Sequence, residues 1–345
     1  MKSRIIRLCL LVTLVAFAGD AVYSQAAPKR TSQKRKTTST TKKKSTTKNV
    51  AKPAQAPAKD TTKPVVVLEA EIKLDTIRKS LRTDDAIERN LVKDRTPLAY
   101  EHIREDDAVY RQRLWREIDV HEKMNLPFVY KADGDNGNQR FVNILLNAIK
   151  SGEITAFNAQ VDDRFTTPMT LKEIAELLVG KPHIEQVPNW AEDPTGAKGL
   201  MKDTVITEVY NPDIVERFWI KEDVIFDKES SRIYTRILGI APVKTIRNQD
   251  GSFRDVSPIF WVYYPELRPL LAKYEAYNGK NYGARLSWEE LFESRMFSSR
   301  IIKSTIENPY DLFVKNYIKD PILRLLEGEN IKEKIFNYEQ DLWSY

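Results

Sequence analysis

From Leu8 to Phe17 the chain is an almost unbroken apolar run, preceded by Lys2, Arg4 and Arg7 and followed by small and polar residues. Ten such residues cover about half of a bilayer span. The layout predicts a secretory signal peptide over residues 1–24, with Val22 and Ser24 placed for cleavage between Ser24 and Gln25. Ala16-Phe17-Ala18 offers a second cleavage site. No other stretch approaches the roughly 18 apolar residues of a membrane span.

Periodic patterns begin only near residue 100. Tyr110, Leu114, Trp115 and Ile118 fall at i, i+4, i+5 and i+8 within Glu105–Met124, a spacing that predicts an amphipathic helix ended by Asn125-Leu126-Pro127. Phe128-Val129-Tyr130 then reads as a short strand. Phe141, Ile144, Leu145, Ala148 and Ile149 predict a second helix stopped by Gly152, and Ile154–Phe157 another strand. Thr170 and Glu173 form a capping-box pattern for a helix reaching Val179-Gly180, and Ser287 with Glu290 repeats it. The Pro- and Gly-bearing stretch Lys181–Lys202 reads as an irregular loop.

Strands are predicted over Thr204–Tyr210, Phe218–Phe226 and Arg232–Ile237. A turn at Asn248–Gly251 returns the chain through Ile259–Tyr264. Past Pro265 the chain should be mostly helical, with helix starts at Asn308-Pro309 and Asp320-Pro321 and a helix end at Gly328. The fold class is therefore α+β, with mixed helices and antiparallel strands in a compact body.

Charge divides the chain more sharply than hydropathy does. Residues 25–64 hold twelve Lys or Arg, one acid (Asp60) and no aromatic, so they read as a disordered basic tail. The remainder after Pro64 carries 40 basic against 47 acidic residues. The basic balance of the whole chain thus comes from one segment, and export removes nucleic acid as its expected partner. Anionic wall material or lipid is the polyanion such a tail would meet. A lead-in at 65–96 precedes the main domain, 97–345.

Candidate chemistry is sparse. The one cysteine, Cys9, lies in the signal segment, which leaves the mature chain without thiol chemistry or disulfides. His102, His121 and His183 are far apart, with His121 expected at the edge of the first helix's buried face. Asp133–Asn138 starts like a calcium loop, but Gly137 replaces a ligand and Ile144 stands where the bidentate Glu belongs, so a hairpin-like surface loop is expected. The adjacent acids Asp106-Asp107 and Asp162-Asp163 point apart on a helix and better suit helix ends than catalysis. No catalytic residue, cofactor site or metal ligand is expected. Trp261, Tyr263, Tyr264, Trp343 and Tyr345 are candidate interface residues, because aromatics at this density are either core or contact surface.

Longer phrases carry more. Pro97-Leu98-Ala99-Tyr100-Glu101-His102-Ile103-Arg104-Glu105 runs into Tyr110–Asp119 and Glu122–Phe128. Arg236-Ile237-Leu238-Gly239-Ile240-Ala241-Pro242, Phe260-Trp261-Val262-Tyr263-Tyr264-Pro265-Glu266, Arg295–Ser299 and Ile331–Trp343 follow in order. Together these resemble the GldN/PorN family of gliding-motility and type IX secretion proteins of Bacteroidota. The resemblance implies a non-enzymatic periplasmic subunit at the inner face of the outer membrane. It would form rings with a GldK/PorK-like lipoprotein and couple to a GldM/PorM-like motor subunit. The alternative is a periplasmic cell-wall-binding module or a carboxylate-dependent hydrolase, which would need a pocket of convergent acids.

Overall fold

The computed structural model describes residues 70–345 apart from 71, 83–85, 87–94, 135–136, 189–200, 207, 249, 282–284 and 344–345. All of these belong to one compact unit, Pro64–Tyr345. The predicted signal peptide, its cleavage position Ser24/Gln25 and the basic tail lie outside the described residues.

In chain order the strands are β1 (Ala108–Asp119), β2 (Asp133–Gly134), β3 (Gly137–Asn138), β4 (Ala156–Asn158), β5 (Pro168–Met169), β6 (His183–Pro188) and β7 (Met201–Ile206). They continue with β8 (Val215–Asp227), β9 (Arg232–Arg247), β10 (Phe253–Pro258), β11 (Phe260–Tyr263), β12 (Glu275–Ala276), β13 (Leu286–Ser287) and β14 (Arg300–Ser304). The α-helices are α1 (Phe141–Ser151), α2 (Leu171–Leu178), α3 (Tyr264–Leu271), α4 (Trp288–Glu293), α5 (Val314–Tyr317) and α6 (Pro321–Trp343). An antiparallel sheet in the order β14-β1-β8-β9-β11-β4-β5, with β10 also on β9, forms the scaffold. The α+β expectation holds.

Alternation along the central strands separates two cores. Ile118, Phe218, Ile220, Ile240 and Val262 face the larger one, which α1–α4 fill with Phe141, Leu145, Ile174, Leu267, Trp288 and Phe292. Ala70 and Ile72 of the lead-in are buried in the same core. The opposite face carries Trp115, Trp219, Ala241, Val243 and Trp261, covered by Phe165 and Phe313. A third cluster at the β14 edge joins Leu114, Val224 and Ile301 to Ile331 of α6.

The locally signalled helices are present. Both capping boxes, Thr170/Glu173 and Ser287/Glu290, are formed. Gly152 ends α1 at φ 77°, and the Asp320 carboxylate accepts from the Ile322 amide at the start of α6. Asp133–Asn138 forms the β2–β3 hairpin.

Five expectations fail. Glu105–Met124 is not a helix: Ala108–Asp119 is a strand between β14 and β8. Tyr110, Leu114 and Ile118 lie four residues apart, an even number, so the spacing that suits a helix also keeps them on one strand face. Trp115 falls on the other face, in the second core. Phe128 and Val129 close a 3-10 helix, Lys123–Val129, instead of forming a strand. Part of the expected loop Lys181–Lys202 is the β6–β7 ribbon, with Ile184 opposite Val205 and Pro188 tolerated at the strand's end. Asn308 does not start a helix, because its side chain bridges the Ser304 and Leu312 carbonyls and closes a loop. Gly328 does not end a helix but lies inside α6, facing the backbone of Ile301.

Candidate assembly surface

A central strand buried on both faces is normally apolar, yet β8 carries Lys221, Glu222 and Asp223 in succession, all buried. Each has a partner on a neighbouring element. Lys221 donates to the Asp163 carbonyl (2.5 Å) and lies 5.7 and 5.4 Å from the ring centroids of Trp115 and Phe165. Glu222 is bound by Arg116 and by Arg295 (2.7 Å). Asp223 accepts from Arg111 (2.6 Å) and Arg113 (2.7 Å). Burial would raise the Asp223 pKa, but the bonds from Arg113 and Arg111 outweigh it and hold the carboxyl below its usual range. Burial in turn lowers the Lys221 pKa, against the pull of Asp163. These charges tie strands and covering loops together, and their acids are committed to bases instead of converging on a pocket.

The sequence-predicted acids and histidines do not come together. Asp163 accepts from the Trp115 indole (2.7 Å), whereas its neighbour Asp162 closes its own turn through Arg164 and Thr166. Asp106 and Asp107 lie in the turn ahead of β1. His121 is exposed and contacts Asp119 rather than edging a buried helix face; His102 and His183 are exposed elsewhere. Among the described residues no three His, Cys, Asp or Glu side chains are grouped to hold a metal.

Nor do the candidate interface aromatics share a surface. Trp261 is buried in the second core and Tyr264 in the first, on opposite sides of the sheet, with the Tyr264 hydroxyl bonded to Glu293 (3.1 Å). Tyr263 is half-buried, its ring 5.4 Å from that of Phe165. Their density on β11 and at the start of α3 serves the subunit's own packing. The Trp343 side chain and Tyr345 lie outside the described residues.

An exposed apolar cluster lies on α6. This helix seats Gly328, Ile331, Ile335 and Tyr338 toward the sheet, at spacings of three and four, and Tyr338 stacks on Tyr110 at 4.0 Å. Its first turns differ. Ile322 is 75% exposed, and Leu323, Leu325 and Leu326 are each more than half exposed. These four spread over roughly 160° of the helix, too wide for one packed stripe to hide. Ile322, Leu325 and Leu326 line an open groove of about 460 Å³ whose other wall is Arg300 and Ile301 of the edge strand β14. Arg300 also binds Glu117, which accepts from the Trp219 indole (3.0 Å), so the groove wall is anchored in the core. The signal was readable as Ile322-Leu323-Arg324-Leu325-Leu326, although aromatic residues drew the expectation elsewhere.

A family model described as "Gliding motility associated protein GldN" matches residues 103–344. The chain belongs to the GldN family. It is accordingly a gliding-motility-associated protein, of a family not known for enzymes. The match spans the sheet, α1–α5 and all of α6, so the groove lies wholly inside the family region. No curated protein is similar enough to the chain to match it. No helix among the described residues is long and apolar enough to cross a membrane.

Proposed function

We propose that this GldN-family chain is a non-enzymatic structural component of the type IX secretion and gliding machinery. It assembles with a GldK/PorK-like outer-membrane lipoprotein into periplasmic rings and couples them to a GldM/PorM-like motor subunit. The basic tail at residues 25–64 contacts anionic wall or lipid. The observation that carries this reading is the outward-facing cluster Ile322, Leu323, Leu325 and Leu326 beside an edge strand, in a body whose buried β8 triplet Lys221-Glu222-Asp223 is already paired. Exposed apolar patches of this kind are a mark of protein contact surfaces.

The test is purification of the tagged chain from native outer-membrane extract, with imaging and mass spectrometry of the eluate. Wild type should yield rings with a co-purifying lipoprotein, and Leu325→Asp combined with Leu326→Asp should release a folded monomer. A wild-type monomer under mild extraction would remove the assembly reading. Intact rings from the double variant would remove this surface from it.

A further inference from the structure

Between the basic tail and β1 the chain is attached to the body at two places, and neither adds a strand to a sheet among the described residues. At the first, Ala70 and Ile72 are buried in the larger core and Leu74 packs against it, while Lys73 and Asp75 between and after them are exposed. Ile77 lies against Gly137 of the β2–β3 hairpin. At the second, Arg95 donates to Glu290 of α4 (2.6 Å) and the Leu98 amide donates to Glu289 (3.2 Å). The Leu98 carbonyl accepts from Arg268 of α3 (2.5 Å). The Tyr100 ring lies between the guanidinium groups of Arg236 (3.9 Å) and Arg268 (3.6 Å), and its hydroxyl bonds to Glu293. Each of these polar contacts has a side chain at one end or both.

The next element is held differently. β1 pairs with β8 from Ala108 to Asp119 and with β14 over Leu114–Glu117. A pull from the N-terminal side therefore meets the Ala70–Leu74 attachment first and the Arg95–Tyr100 attachment second, each a small local set of contacts. It then meets β1, whose ladder bonds must break together when the strand is drawn along its own axis. Segments with few buried apolar contacts open at low free-energy cost, and forced unfolding is governed by the barrier met along the pull. The family match begins at residue 103, so both attachments precede it and the strand that would stop the pull lies inside it.

We propose that residues 70–107 are an extensible coupling between tail and body: under load the Ala70–Leu74 attachment releases, then the Arg95–Tyr100 attachment, and β1 holds. Their release frees 38 residues, which extend to roughly 130 Å. This inference rests on the reading of residues 25–64 as a wall or lipid contact, and it gives that tether a length that responds to load. When the body and the tail's holding site move apart, the link lengthens before the sheet is disturbed. The attachments re-form when the load falls, because both receiving surfaces stay on the folded body.

Optical-tweezers pulling tests the order of release. The Cys9→Ser chain carries one handle at Ser32→Cys in the tail and the other at Arg254→Cys on β10. Phe253 pairs with Arg247, at the end of β9 opposite to Arg232, whereas Ala108 lies opposite Asp227, which pairs with Arg232, so β1 is loaded along its axis. The expected trace has early lengthening of up to roughly 130 Å, reversible on relaxation, followed at higher force by unfolding of the body. Ile72→Asp combined with Tyr100→Ala should abolish the early event and leave the later one unchanged. Should that variant lose the body event too, Arg95→Ala, which alters the strap alone, must lower the early forces. One event that unfolds lead-in and body together would overturn the proposal, as would a wild-type trace with no event before the body unfolds, or variants that leave the early event as it was. The tail reading fails separately. Equal retention on anionic vesicles and on isolated wall, with and without residues 25–64, would remove the tether's anchorage and the coupling role with it, while leaving the pulling trace unchanged.

Discussion

Phe165 lies over Gly239 so closely that a β-carbon on the glycine would sit 2.6 Å from the ring's Cζ and 2.9 Å from Cε1. Gly239 pairs with Lys221 on one side and Tyr263 on the other, and the ring contacts both of those neighbours. Phe165 takes a positive φ of 59° to reach this place. A glycine in mid-strand is thus the seat for the loop that closes the second core. Gly239→Ala should cost about 1–3 kcal/mol, because the ring must shift in a packed cluster. Urea unfolding would measure it, and a wild-type midpoint would show that the loop yields freely.

Gly328 gives the opposite expectation. A β-carbon there would meet the Ile301 carbonyl oxygen at 3.5 Å and its Cβ at 3.8 Å, both ordinary contacts. The position is helical, and glycine in a helix interior is about 0.5–1 kcal/mol worse than alanine. Gly328→Ala should therefore stabilise the body by about that amount and raise its thermal midpoint by roughly 1–4 °C. A lowered midpoint would mean that α6 and β14 approach more closely than described.

Glu222 tests the charged interior. It is fully buried between Arg116 and Arg295, which keep 14% and 35% side-chain exposure. Glu222→Gln retains the shape but leaves two guanidiniums facing a neutral amide. Removing one partner of a buried pair costs about 3–5 kcal/mol, and the partial exposure of the arginines brings the loss to the bottom of that range or just under it, about 2–3 kcal/mol. A change below about 0.5 kcal/mol in chemical unfolding would show the pair to be energetically idle.

How much of this was legible depends on the range of the signal. Thr170 with Glu173, Ser287 with Glu290, and Asp320 with Pro321 announce helices because a cap is completed within a few residues. The Asn248–Gly251 turn announced its hairpin for the same reason. Tyr110, Leu114 and Ile118 misled because a four-residue spacing satisfies both periods, and the choice was made by β14 and β8, far away in sequence. Lys221-Glu222-Asp223 reads locally as a polar interruption of the strand, and its burial depends on distant partners, Asp163 for Lys221 and Arg111, Arg113, Arg116 and Arg295 for the two acids. The bond between the Tyr100 hydroxyl and Glu293 joins residues 193 positions apart and leaves no local trace. Leu325 and Leu326 were visible as apolar residues, but their exposure follows from how Gly328 and Ile331 seat the helix.

Asp223 predicts how the body responds to acid. Its folded-state pKa is depressed: burial acts to raise it, and the bonds from Arg113 and Arg111 overcome that effect. An unfolded aspartate titrates near ~3.9. The unfolded chain therefore takes up this proton first, and the stability contributed by the ionised group is fully present above that value. It is lost as pH falls through the lower folded pKa. Asp223→Asn should destabilise the body at neutral pH, where the two arginines lose their charged partner. The penalty should shrink as pH drops below about 4, since wild type then approaches the same uncharged state. Urea midpoints for both chains from neutral pH downward would trace this convergence. A gap that stayed constant into acid would mean that the Asp223 carboxylate is not the group whose protonation loosens the β1–β8 pair.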